Sequence, residues 1–77
     1  MLHLRELKFG DEVNWESVNF FRLHEEIVTD YHDHIQVRSK NRLLNRFHTF
    51  IFRDNQWIYV GLCYKDQTVN QKKVVER

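Results

Sequence analysis

Two runs rich in β-branched and aromatic residues, 45–52 (NRFHTFIF) and 57–64 (WIYVGLCY), flank the polar tetrapeptide RDNQ at 53–56. This pattern folds as a β-hairpin. Branched and ring-bearing side chains pack well on a pleated surface, and Asp and Asn tolerate a tight turn. Centring the turn on Asp54 and Asn55 sets Arg53 opposite Gln56 and fixes the register of every pair above it. Side chains alternate between the two faces of a sheet. One face then carries Phe47, Thr49, Ile51, Ile58, Val60 and Leu62. The other carries Arg46, His48, Phe50, Phe52, Trp57, Tyr59 and Cys63. A competing reading makes Leu43, Leu44, Phe47, Phe50 and Ile51 one side of a basic helix. The density of Phe, Thr and Ile favours the strand.

The rest of the chain supplies one helix and further strands. In 17–35 (SVNFFRLHEEIVTDYHDHI), Phe20, Phe21, Leu23, Ile27, Val28 and Tyr31 share one side of a helix, and Arg22, Glu25, Glu26, Thr29 and Asp33 fall off it. That stripe predicts an amphipathic helix over roughly 18–31, with Ser17 as its N-cap. Residues 2–9 and 34–39 alternate and read as strands, with turns at 40–42 and 65–68. Residues 69–77 read as a last strand or a tail. The expected fold is α+β: one amphipathic helix on a small antiparallel sheet, in the order β-α-β-β-β. KFGDEVNW (8–15) resembles the opening of SH3-like small barrels, where Gly-Asp precedes a strand. That resemblance implies a closed β-barrel as the alternative fold.

At 77 residues the chain has room for one domain, spanning 1–77, and one core. Chains this short bury only about 60% of their unfolded surface. A single helix therefore covers one side of the sheet. The aliphatic side is the expected seat for Phe20, Leu23 and Ile27. The aromatic side, with Phe50, Phe52, Trp57 and Tyr59, is then left as an interface, unless the sheet curls over it.

Charge is segregated along the sequence. Residues 1–33 carry a net −5, residues 34–53 a net +5 with no acid, and residues 54–77 a net +1. The five central cations are Arg38, Lys40, Arg42, Arg46 and Arg53. They form the expected basic rim beside the aromatic face. An isoelectric point near 8.0 lies below the ~9 of dedicated nucleic-acid-binding domains.

The motifs of chemistry are missing. No GxSxG, Walker loop, dinucleotide fingerprint or HExxH occurs, and the two glycines are isolated. His32 and His34 with His24, His48, Asp30 and Asp33 have no recognised metal spacing, and His24 reads as a partly buried histidine in the helix's apolar stripe. Cys63 and His48 share the aromatic face in the simple register and form a conceivable nucleophile pair, but nothing in the pattern activates the thiol. The lone cysteine fits a reducing, cytoplasmic compartment. The N-terminal residues lack a secretory pattern, and no apolar run is long enough to span a bilayer. The lack of Ala and Pro matches the composition of an AT-rich, phage-like genome.

These features predict a non-enzymatic protein–protein interaction module, such as a small inhibitor or accessory protein. It is expected to bind a protein partner or a second copy, and no cofactor, metal, membrane or small-molecule substrate. The alternative is a single-stranded nucleic-acid-binding protein that stacks bases on the aromatic face and holds phosphates with the basic rim.

Overall fold

The fold was analysed in a computed structural model, which describes residues 2–66. A short 3-10 turn, Leu4–Glu6, precedes strand β1 (Glu12–Val13) and helix α1 (Trp15–His24). Strands β2 (Ile27–Tyr31), β3 (His34–Arg38), β4 (Phe47–Arg53) and β5 (Gln56–Cys63) follow. The five strands form one antiparallel sheet in the order β1-β5-β4-β3-β2. The α+β class and the helix-on-sheet arrangement are as the sequence predicts. The SH3-like alternative is not: among the described residues β1 and β2 are the two edges, and the sheet does not close.

The predicted hairpin forms with its predicted turn. Asp54 and Asn55 both adopt positive φ, 52° and 66°, as a two-residue type I′ turn requires. Arg53 pairs with Gln56, Phe52 with Trp57, Ile51 with Ile58 and Phe50 with Tyr59. Beyond that the register shifts by one, so that His48 faces Leu62 and Phe47 faces Cys63. The extra residue falls in β5, where Gly61 takes a φ of 86° that other residues rarely adopt. The bulge exchanges the faces of Leu62 and Cys63. Cys63 joins Ile51, Val60 and Ile58 instead of the aromatic side.

The helix is displaced from its predicted span and ends seven residues early. Asn14, not Ser17, is its N-cap, and the Ser17 N–H donates to Asn14 Oδ1 at 2.8 Å. After His24 come two acids at the negative end of the helix dipole, then the β-branched run Ile27-Val28-Thr29. That run pairs with β3 as an edge strand. Ile27, Val28 and Tyr31 fit the helical stripe by position, but strand pairing wins. The predicted strand over 2–9 is likewise absent. Leu4 and Leu7 reach the core from an irregular segment instead. Gly10, with a φ of 93°, turns the chain into β1, and its N–H donates to the Tyr59 carbonyl at 2.8 Å.

The helix covers the opposite face from the one expected. Val18 and Phe21 of α1 pack with Ile35, Val37, Phe50, Trp57 and Tyr59. Phe21 stacks on Phe50 with ring centroids 5.7 Å apart and planes at 14°. The cause lies in the connection. Val13 pairs with Trp57 and so shares its face, and Asn14 caps the helix one residue later. So short a link cannot carry α1 round the sheet edge.

The aliphatic face carries a buried polar network beside its apolar cluster. Across β2, β3 and β4 run Thr29, Gln36 and Thr49, all buried. Gln36 Nε2 donates to Thr49 Oγ1 at 2.9 Å and to the Tyr64 carbonyl at 3.0 Å. Gln36 Oε1 accepts from the Asp66 N–H at 2.8 Å. The single Thr29 hydroxyl proton has two acceptors, Gln36 Oε1 at 2.9 Å and Asp66 Oδ1 at 3.2 Å. These bonds tie Tyr64 and the turn residue Asp66 back onto the sheet after β5 ends at Cys63. The reading of 69–77 as a strand or tail lies outside the described residues.

Candidate functional site

The sheet has two distinct ends. At the turn end lie Asp54 and Asn55, the start of β3, strand β1 and the first turn of α1. At the loop end lie the C-termini of β3 and β5, the start of β4, and the last turn of α1.

The predicted aromatic interface does not form as a surface. Phe50, Trp57 and Tyr59 are buried beneath α1. Only Phe52 stays in contact with solvent, at 39% exposure, because it sits on β4 beyond the reach of the helix. Sequence reasoning missed its companion Trp15, the first helical residue, which is 47% exposed. Trp15 and Phe52 flank the Trp57 ring at 5.7 and 5.3 Å, and the Arg22 guanidinium lies 5.9 Å over Trp15.

The basic rim is divided. Arg53 stands at the turn end of β4. Arg38, Lys40, Arg42 and Arg46 gather at the loop end, a seven-residue strand away, roughly 20 Å. Folding also interleaves the acidic and basic segments. Glu26 holds Arg38 Nε and Arg42 Nη1, each at 2.9 Å. Hydrogen bonds from Arg38 and Arg42 hold the Glu26 carboxyl below the usual carboxylate range. The Arg38 guanidinium lies over the Phe47 ring at 5.2 Å, and that of Arg46 over Tyr64 at 5.3 Å. Lys40 has no acidic partner among the described residues.

Residues 39–46 form an ordered loop rather than a tight turn. Asn41 organises it. Its N–H donates to Ser39 Oγ at 3.2 Å, its side-chain Oδ1 accepts from the Leu43 N–H at 3.1 Å, and its carbonyl accepts from the Leu44 N–H at 3.1 Å. This scaffold holds Leu43 out at 96% exposure, and the same loop carries Lys40, Arg42 and Arg46. The run of cations in the sequence points to this loop. Nothing in the sequence distinguishes its leucine from a core residue.

The titratable candidates are kept apart. The bulge puts Cys63 on the aliphatic face, with Sγ 3.6 Å from the Val60 carbonyl. His48 stays on the helix side, its Nδ1 2.7 Å from the Tyr59 hydroxyl. The Cys63–His48 pair therefore does not form. Burial lowers the pKa of His48, with Glu25 acting weakly against it, and pushes the Tyr59 phenol up to about 12. His34 is also held down by burial, against Asp66 and Asp33, and its Nε2 is buried without a partner among the described residues. His32 projects into solvent. His24 is exposed, not partly buried as expected, although its ring lies 4.2 Å from that of Phe20. Among the described residues no three His, Cys, Asp or Glu side chains converge to hold a metal ion. No helix among them is long and apolar enough to cross a membrane.

The chain is thus a small α+β domain with an open five-stranded antiparallel sheet. Comparison with protein-family models, curated proteins and solved structures finds no match to it.

Proposed function

We propose that the protein is a non-enzymatic binding module that engages a protein partner through the loop of residues 39–46. The observation that carries this reading is Leu43, 96% exposed on a loop held by hydrogen bonds. An ordered loop loses less conformational freedom on binding than a floppy one. A single exposed leucine is common on protein surfaces. Here, however, it stands on a preformed support, in a loop that also carries Lys40, Arg42 and Arg46. The matching surface is an apolar socket with an acidic rim.

The single-stranded nucleic-acid reading draws less support. It needs exposed rings beside the phosphate contacts. Three of the four candidate rings lie under the helix, and two of the cations share Glu26.

The test is affinity capture from lysate, treated with nuclease, using the wild type and Leu43→Asp. The reading predicts a nuclease-resistant protein partner that the substitution releases. A partner retained by Leu43→Asp, or one lost to nuclease alone, overturns it.

A further inference from the structure

We propose that a cavity at the loop end of the molecule is a binding site for a small carboxylate with an apolar body. This goes beyond the loop interaction and departs from the expectation of no small-molecule ligand. The cavity has a volume of about 540 Å³ and opens between the N-terminal turn, the last turn of α1 and the end of β3. Volumes of this order are typical of small-molecule sites.

Its walls are apolar where a ligand body would lie: Leu2, Leu4, Phe20 and Phe21. Arg5, Arg38 and Lys40 line the cavity, against Glu25 as its one acid among the described residues. Arg38 is held by Glu26, whereas Arg5 and Lys40 have no acidic partner among the described residues. Charge complementarity therefore selects an anion.

A hydrogen-bond donor comes from His48. Tyr59 is buried as a residue, and the one polar contact of its hydroxyl among the described residues is His48 Nδ1 at 2.7 Å. Were Nδ1 protonated, it would donate to Tyr59 and leave the phenol proton without an acceptor among the described residues. The satisfied arrangement has Tyr59 donating to Nδ1, which places the imidazole proton on Nε2. His48 lines the cavity, and Nε2 is not sealed from solvent. An N–H donor and two cations beside an apolar wall suit a carboxylate whose body is an aromatic ring or short alkyl chain.

The experiment is an amide NMR titration with phenylbutyrate, phenylbutyramide and phenylbutylamine, which share one body and differ in head group. Phenylbutyrate should shift Leu4, Phe20, Phe21 and His48 and bind at least about tenfold tighter than the other two. Arg5→Gln, an exposed change that leaves the core intact, should remove most of that preference while the amide's affinity stays the same. Equal or tighter binding of the amide or the amine would overturn the proposal. So would shifts confined to residues away from the cavity, or no shifts in a spectrum that is well dispersed.

Discussion

The two faces of the sheet are closed by different physics. On one, rings meet rings: Phe21 on Phe50, with Val18, Trp57 and Tyr59 around them. On the other, a glutamine with no exposed surface ties three strands and the returning chain together. Apolar packing is non-directional and tolerates exchange of shape for similar shape. A buried polar network is directional, and every member must keep its partners. The first face therefore holds the helix, and the second holds register.

The sharpest way to break the aromatic face is Phe50→Ala. It removes a fully buried ring and should lower unfolding free energy by about 3–5 kcal/mol in a urea melt. Phe50→Leu should retain most of the stability, at a loss of about 1–2 kcal/mol. Gln36→Leu tests the other face with a residue of similar size. It removes the bonds that Thr49 Oγ1 and the Tyr64 carbonyl accept from Gln36 and the one that the Asp66 N–H donates to it, and should lose about 3 kcal/mol despite being more apolar. Tolerance of Gln36→Leu together with intolerance of Phe50→Leu would invert the comparison.

Acidification probes both faces at once and should have a smaller effect. His34 lies on the polar face and His48 on the helix face, and burial lowers both from an ordinary value of 6.5. In the unfolded chain each takes up a proton near pH 6.5, while in the folded protein each stays neutral to lower pH. The unfolded state then binds more protons, so stability is full above pH 6.5 and is lost as the pH falls toward the folded pKa values. Urea midpoints measured from neutral to mildly acidic pH should fall, and His48→Gln should flatten part of that fall. The smallest effect on folding belongs to the loop. Leu43→Asp should change unfolding free energy by less than about 0.5 kcal/mol, because the side chain touches almost nothing.

The hairpin was legible in the sequence because a two-residue turn and the period of two leave little freedom. Its pairs from Arg53–Gln56 to Phe50–Tyr59 follow directly. The bulge at Gly61 was not legible, and it moved Cys63 to the other face. The helix illustrates a different failure. Ile27, Val28 and Tyr31 extend a helical stripe, yet β-branching and an available partner strand make them β2. Which face the helix covers depends on a chain link of one residue between Val13 and Trp15, a feature with no hydrophobic signature. The basic rim was visible as a charge run, but its division between two ends, and the Glu26 contacts that neutralise part of it, arise only from folding. The sequence does not mark Leu43, because exposure is a property of the loop and not of the residue.

The central claim is that the aromatic face is interior beneath α1, while Trp15 and Phe52 at one end of the sheet and Leu43 at the other face solvent. Hydroxyl-radical footprinting of the folded protein, read residue by residue by mass spectrometry, tests it most directly. The account predicts fast oxidation at Trp15, Leu43 and Phe52, with Phe50, Trp57 and Tyr59 protected until the protein is unfolded. Oxidation of Trp57 and Tyr59 as fast as that of Trp15 would contradict it and return the aromatic face to the surface.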